Sequence, residues 1–169
     1  MALSALRLLL LLCASAALGL GYARYRGLPL IPDLQALAQE QDARALWVQQ
    51  TAIELEEFRQ HYETGGLVID ARPGDAFEKS HLDALSIMNI PADEAADGYH
   101  IDRVLPYQGQ PIVLYCASAD CESAEILWNV LVQYGFYDVR VYHPGFEGIE
   151  KEGLPTVAGP DFLKNNHQP

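Results

Sequence analysis

Residues 111–122 read PIVLYCASADCE, and this stretch decides the fold. Ile112 to Tyr115 is a continuous apolar run of strand length, not an alternating one. It predicts a strand buried on both faces, as in a parallel sheet. The run leads directly into Cys116. Ala117 to Glu122 are mostly small residues and form a loop. Ser123 to Tyr134 reads as a helix with Ala124, Leu127, Trp128 and Leu131 on one face and Gly135 as its stop. Cys116 therefore falls at the carboxyl end of a strand, where open α/β folds carry their active groups.

The flanking sequence repeats the pattern. A helix is predicted over Ile53 to Glu63, ended by Gly65-Gly66, followed by the apolar run Leu67-Val68-Ile69 that closes on Asp70. Pro73-Gly74 turns the chain into a short helix from Asp75 to Ser80. Ser86 to Ile90 is a further strand, closed by Pro91, and Asp93 to Val104 reads as a loop with a turn of helix. Val139 to Tyr142 is the next strand, and Pro144-Gly145 opens a last short helix through Glu150. Strands alternating with helices at this spacing predict an α/β domain of three layers, with a central parallel sheet covered on both faces.

Charge is unevenly placed. The chain has 11 Lys+Arg and 23 Asp+Glu. Three of the basic residues and none of the acidic ones lie in residues 1–26, so the remainder carries 8 basic against 23 acidic groups, a net of −15. Such a surface repels polyphosphate and argues against a nucleic-acid partner. From Leu3 to Ala23 the only charge is Arg7, and Leu8 to Leu12 is an unbroken leucine run. This is read as an N-terminal hydrophobic helix anchoring the chain in a membrane, since a span needs about 20 apolar residues. The competing reading is a signal peptide cut at Ala14-Ser15-Ala16. Arg7 on one side balances Arg24 and Arg26 on the other, so the periplasmic or cytoplasmic face of a bacterial-type inner membrane is left open. The predicted organisation is an anchor at 1–26, a spacer and helix at 27–50, the α/β domain at 51–157 and a flexible tail at 158–169. The spacer is Pro-rich, and Asp33 is placed to cap a helix from Leu34 to about Gln49.

The chemistry centres on Cys116. A loop of small residues can turn its backbone N–H groups inward around an anion, and the following helix adds partial positive charge. Such a setting lowers a thiol's pKa and makes it a nucleophile. Residues Leu67 to Asp70 with Arg72, the run Phe77 to Leu82, and Asn89-Ile90-Pro91 resemble the opening of a rhodanese-like domain. Tyr115-Cys116, Tyr134-Gly135-Phe136, Val139 to Phe146 and Gly153-Leu154-Pro155 are similar to its second half. The resemblance implies sulfur transfer. Cys116 takes sulfane sulfur from a small donor, holds it as a persulfide and passes it to a thiol or protein acceptor, without metal or organic cofactor. It implies that Ala117, Ser118, Ala119, Asp120, Cys121 and Glu122 cradle the substrate, and that Asp70, Arg72 and His81 are structural.

The loop departs from the thiosulfate-using members of that family, which often carry a basic residue where this chain has Asp120 and Glu122. Two carboxylates there oppose a dianionic donor. Glu122 also stands where the phosphatase branch of the fold needs the arginine of Cys-x5-Arg, which argues against that activity. The second cysteine, Cys121, makes a Cys-x4-Cys loop, found in a subset of the family that is often membrane-associated. It is read either as a resolving thiol that forms a disulfide with Cys116 or as a small apolar filler beneath the loop. Alternatives to sulfur transfer are a thiol-disulfide redox protein using both cysteines and a non-catalytic binding module. A closed zinc site lacks ligands, since two thiolates have no histidine near them in sequence. His143 is placed either in the pocket or on a surface turn, and Trp47 and Trp128 are read as packing residues.

Overall fold

The computed structural model describes residues 2–27 and 34–161. The predicted Pro-rich spacer and the Asp33 cap fall largely on residues 28–33, and most of the predicted tail on 162–169, outside the described residues. The chain divides into two compact units, residues 1–45 and 46–169.

The first unit holds helix α1 (Ala2–Tyr25) and the start of α2 (Leu34–Thr51). The N-terminal run thus forms a helix. Among the described residues, however, no helix is long and apolar enough to cross a membrane. The single-pass anchor at residues 3–23 is corrected accordingly, and with it the membrane partner and the membrane location. The leucines carried that reading. From Cys13 to Gly21 the run is mostly Ala, Gly and Ser, whose side chains present little apolar surface, and Arg7 interrupts the segment before the leucines.

The second unit contains α3 (Leu55–Glu63), β1 (Leu67–Asp70), α4 (Gly74–Lys79), β2 (His81–Leu82), β3 (Ile87–Asn89) and α5 (Ala92–Ala96). Two short 3-10 turns follow, then β4 (Ile112–Tyr115), α6 (Ser123–Gln133), β5 (Val139–Val141), α7 (Gly145–Lys151) and β6 (Thr156–Val157). Four strands form a parallel sheet in the order β3-β1-β4-β5, with Asp70 opposite Tyr115 and Leu114 opposite Val141 in register. Because side chains alternate across a strand, the apolar runs feed two cores. Leu67, Ile69, Ile112 and Leu114 face one side, packed with Ala95 of α5 and Leu127 and Leu131 of α6. Val68, Val113 and Tyr115 face the other, with Phe58 of α3 and Phe146 and Ile149 of α7. The domain is therefore α/β, with a central parallel sheet covered on both faces.

A second small sheet was not visible as a pattern. β2 and β6 pair antiparallel, His81 opposite Val157. Strands of two residues carry no periodicity, and this pair joins segments far apart in sequence.

Candidate active site

All four strands of the main sheet run in the same direction, so their carboxyl ends share one edge. Cys116 follows β4 there and is only 3% exposed. Its loop is held from below by α7. The N–H of Phe146 donates to Cys116 O at 2.7 Å, and that of Glu147 to Ala117 O at 3.0 Å. Within the loop, Cys121 N donates to Ser118 O at 3.2 Å, a turn that brings the chain back towards Cys116. Among the described residues no backbone carbonyl accepts from the N–H groups of Ala117, Ser118, Ala119 or Asp120. Successive N–H donors in a turn of small residues are a type of backbone arrangement that can bind an anion. Ala117, Ala119, Asp120 and Glu122 are exposed, while Ser118 and Cys121 are half-buried. Cys121 packs against the core on the α6 side and is also joined to Cys116 by a disulfide, the Cα atoms 6.1 Å apart.

Gly145 explains how α7 comes so close. It has φ +66°, and a Cβ there would lie 2.8 Å from Cys116 O, Ala117 C and Ser118 N, all backbone atoms. Gly145→Ala should destabilise the domain by about 2–4 kcal/mol, from left-handed strain plus overpacking. Gly153, at φ +63° with nothing near its missing Cβ, isolates the strain alone. Gly153→Ala should cost only about 1–2 kcal/mol. Denaturant unfolding of the two variants side by side checks this, and equal losses would mean that the loop yields freely.

Asp70 and Arg72 lie at the end of the neighbouring strand. Asp70 is fully buried and accepts from Arg72 Nε at 3.0 Å and from Arg72 Nη2 at 2.6 Å, while Nη2 also donates to Ser80 O at 2.7 Å. The guanidinium stacks 3.8 Å over the ring of Phe146, the residue whose N–H holds Cys116 O. Burial opposes the Arg72 charge, but the Asp70 bond and charge outweigh it and raise the arginine's pKa. The Tyr115 hydroxyl is pushed well above its ordinary value by burial, then by the Asp70 charge, and stays protonated. His81 is buried away from the loop, its Nδ1 2.9 Å from Phe77 O and its ring stacked on Phe77.

His143, two residues before Gly145, is half-buried. Its Nε2 is 3.0 Å from Thr51 Oγ1, and its ring meets Trp47 edge-on at 4.9 Å. Trp47 in turn contacts Trp128. Two clefts lie elsewhere, one beside Asn89 and Asp161, the other beside Ile53 and Arg140, and neither is lined by residues 116–122. Among the described residues no group of three or more His, Cys, Asp or Glu could hold a metal.

The sequence pattern of the rhodanese-like domain matches residues 54–152, more than half of the chain. This chain belongs to the rhodanese-like domain family. Solved structures of the same fold include a full-length protein from Lactobacillus plantarum, at 17% identity and TM-score 0.57, with 72% of this chain and 98% of that chain covered. A protein from Bacillus halodurans matches at 18% identity and TM-score 0.53, over 72% of this chain and 86% of that one. The thiosulfate sulfurtransferase from Pseudomonas aeruginosa matches at 20% identity and TM-score 0.54, over 64% of this chain but 20% of that much longer one. Identities this low show shared fold. No curated protein is significantly similar to the chain. These matches identify the family, and not a two-cysteine or membrane-anchored subset of it. Within the rhodanese-like domain, the residues that sequence reasoning passed over as site elements are Gly145 and Phe146. The Pro144-Gly145 turn was legible, but its approach to the Cys116 backbone was not.

Proposed function

We propose that this rhodanese-like domain is a sulfurtransferase that carries sulfane sulfur as a persulfide on Cys116. The observation that supports the reading best is the loop itself: a buried cysteine at the carboxyl end of the central strand, followed by four N–H groups that no backbone carbonyl among the described residues claims. Such free donors can stabilise the negative charge that develops first on the thiolate and then on the persulfide. Residues Ala117 to Glu122 form the cradle, with the Asp70–Arg72 pair supporting it through Phe146. After reduction of the Cys116–Cys121 bond, a small donor delivers its outer sulfur to the Cys116 thiolate. Reduced Cys121→Ser protein, in which no second loop thiol can displace the sulfur, should gain the mass of one sulfur atom on the peptide containing Cys116 when treated with thiosulfate or an alkyl persulfide. No gain with any donor would dismiss the proposal.

The exposed carboxylates of Asp120 and Glu122 flank the cradle and should make dianionic thiosulfate a poor donor compared with singly charged persulfides. The double variant Asp120→Asn/Glu122→Gln should raise thiosulfate turnover about three- to tenfold at low ionic strength, and the gain should shrink in salt. A gain of the same size at all salt concentrations would show that charge is not its cause. The disulfide favours a second reading, a dithiol redox protein that handles electrons but never sulfane sulfur. Persulfide formation separates the two.

A further inference from the structure

We propose that the sulfur acceptor is built into the loop: Cys121 attacks the Cys116 persulfide, releases hydrosulfide, and makes the protein a dithiol-dependent persulfide reductase. This rests on the persulfide reading above and adds the step that empties the site.

Two observations carry it. Cys116 and Cys121 are joined in the structure with Cα atoms 6.1 Å apart, within the usual range for a disulfide, so the loop reaches bonding geometry without unfolding. The turn from Cys121 N to Ser118 O and the α7 clamps on the Cys116 and Ala117 carbonyls hold the loop backbone in that arrangement. The second observation is access. With the bond closed Cys116 is 3% exposed, so little of it is open to a molecule from solution, whereas Cys121 is directly joined to it. A positioned intramolecular nucleophile competes at a very high effective concentration.

The chemistry balances in three steps. The Cys116 thiolate takes the outer sulfur of a small alkyl persulfide, and the alkyl thiolate leaves. The Cys121 thiolate then attacks Sγ of Cys116; the bond to the sulfane sulfur breaks, and that sulfur departs as hydrosulfide. The departing sulfur has gained two electrons, one from each cysteine sulfur, and the Cys116–Cys121 bond has formed. An external dithiol finally reduces this bond and is itself oxidised to a disulfide. Overall, alkyl persulfide and dithiol become alkyl thiol, hydrosulfide and cyclic disulfide. The conformation described here corresponds to the state awaiting the reductant.

The test uses the full chain in a Cys13→Ser background, since Cys13 is an exposed free thiol. Protein reduced and desalted without oxygen is mixed with stoichiometric alkyl persulfide, and hydrosulfide is trapped while the protein mass is followed. Wild-type loop protein should release hydrosulfide in proportion to protein and lose two hydrogens, with peptide mapping showing Cys116 bound to Cys121. Excess dithiothreitol should make release catalytic. Cys121→Ser and Cys121→Ala should keep the added sulfur on Cys116 and release at least tenfold less hydrosulfide. If wild type retains its persulfide as long as these variants and releases no more hydrosulfide, Cys121 is packing only and the inference is overturned. If neither wild type nor variants ever gain sulfur and no hydrosulfide appears, the persulfide reading itself has failed, and this inference with it.

Discussion

Replacing Cys116 with serine is expected to abolish sulfur transfer while the domain stays folded. A hydroxyl is far less acidic than a thiol and forms no bond that can store sulfane sulfur, so loss of the nucleophile should lower turnover by at least about three orders of magnitude. The fold should tolerate the change because the position is set by backbone bonds, Phe146 N to Cys116 O and the β4 ladder, and not by the sulfur. Stability must be compared under reducing conditions. The oxidised wild type gains from the cross-link, about 2 kcal/mol for so short a loop, and serine removes that gain. Circular dichroism and denaturant midpoints of the two reduced proteins should agree within about 1 kcal/mol. Substantial turnover in Cys116→Ser would move the chemistry elsewhere. If that turnover were lost in Cys121→Ser, the roles of the two thiols would be exchanged.

The largest effect on stability is expected at Asp70. Its carboxylate has no exposure, and it accepts from the backbone N–H and the Nε and Nη2 of Arg72. Asp70→Ala strands a guanidinium that is 6% exposed and held against Phe146 and Ser80 O. An uncompensated buried charge costs about 3–5 kcal/mol, a large part of the 5–15 kcal/mol that holds a typical domain together. The charge is the cause, so Asp70→Ala/Arg72→Met should recover much of the loss. Urea unfolding of the single and double variants measures both. A loss under about 1 kcal/mol in Asp70→Ala would show that Arg72 escapes to water. Because Arg72 stacks on the residue that clamps Cys116, sulfur loading in the surviving folded fraction of Asp70→Ala should also fall.

What was legible in the sequence was local. Ile112 to Tyr115 and Leu67 to Asp70 are continuous apolar runs of strand length, and only a sheet covered on both faces buries such runs completely. Gly65-Gly66 and Gly135 end their helices because glycine reaches the left-handed conformation without strain, as Gly65 and Gly135 do here. From those runs alone Cys116 falls at the carboxyl end of a strand, before a helix. The N-terminal leucines were equally visible and misled, because they mark a helix without showing that its apolar surface suffices for a span.

Tertiary structure decided what depends on meetings between distant segments. The β2–β6 pair, the Trp47 and Thr51 contacts to His143, and the 2.8 Å approach of Gly145 to the Cys116 backbone have no local signature. Each arises only when chain segments remote in sequence pack together. Cys121 belongs to the same class. Its five-residue separation from Cys116 permits either packing or bonding, and the structure shows both. The physical reason is that apolar periodicity reports which side of an element is buried, whereas reach between two side chains depends on how the backbone curls between them, here set by the clamp from α7.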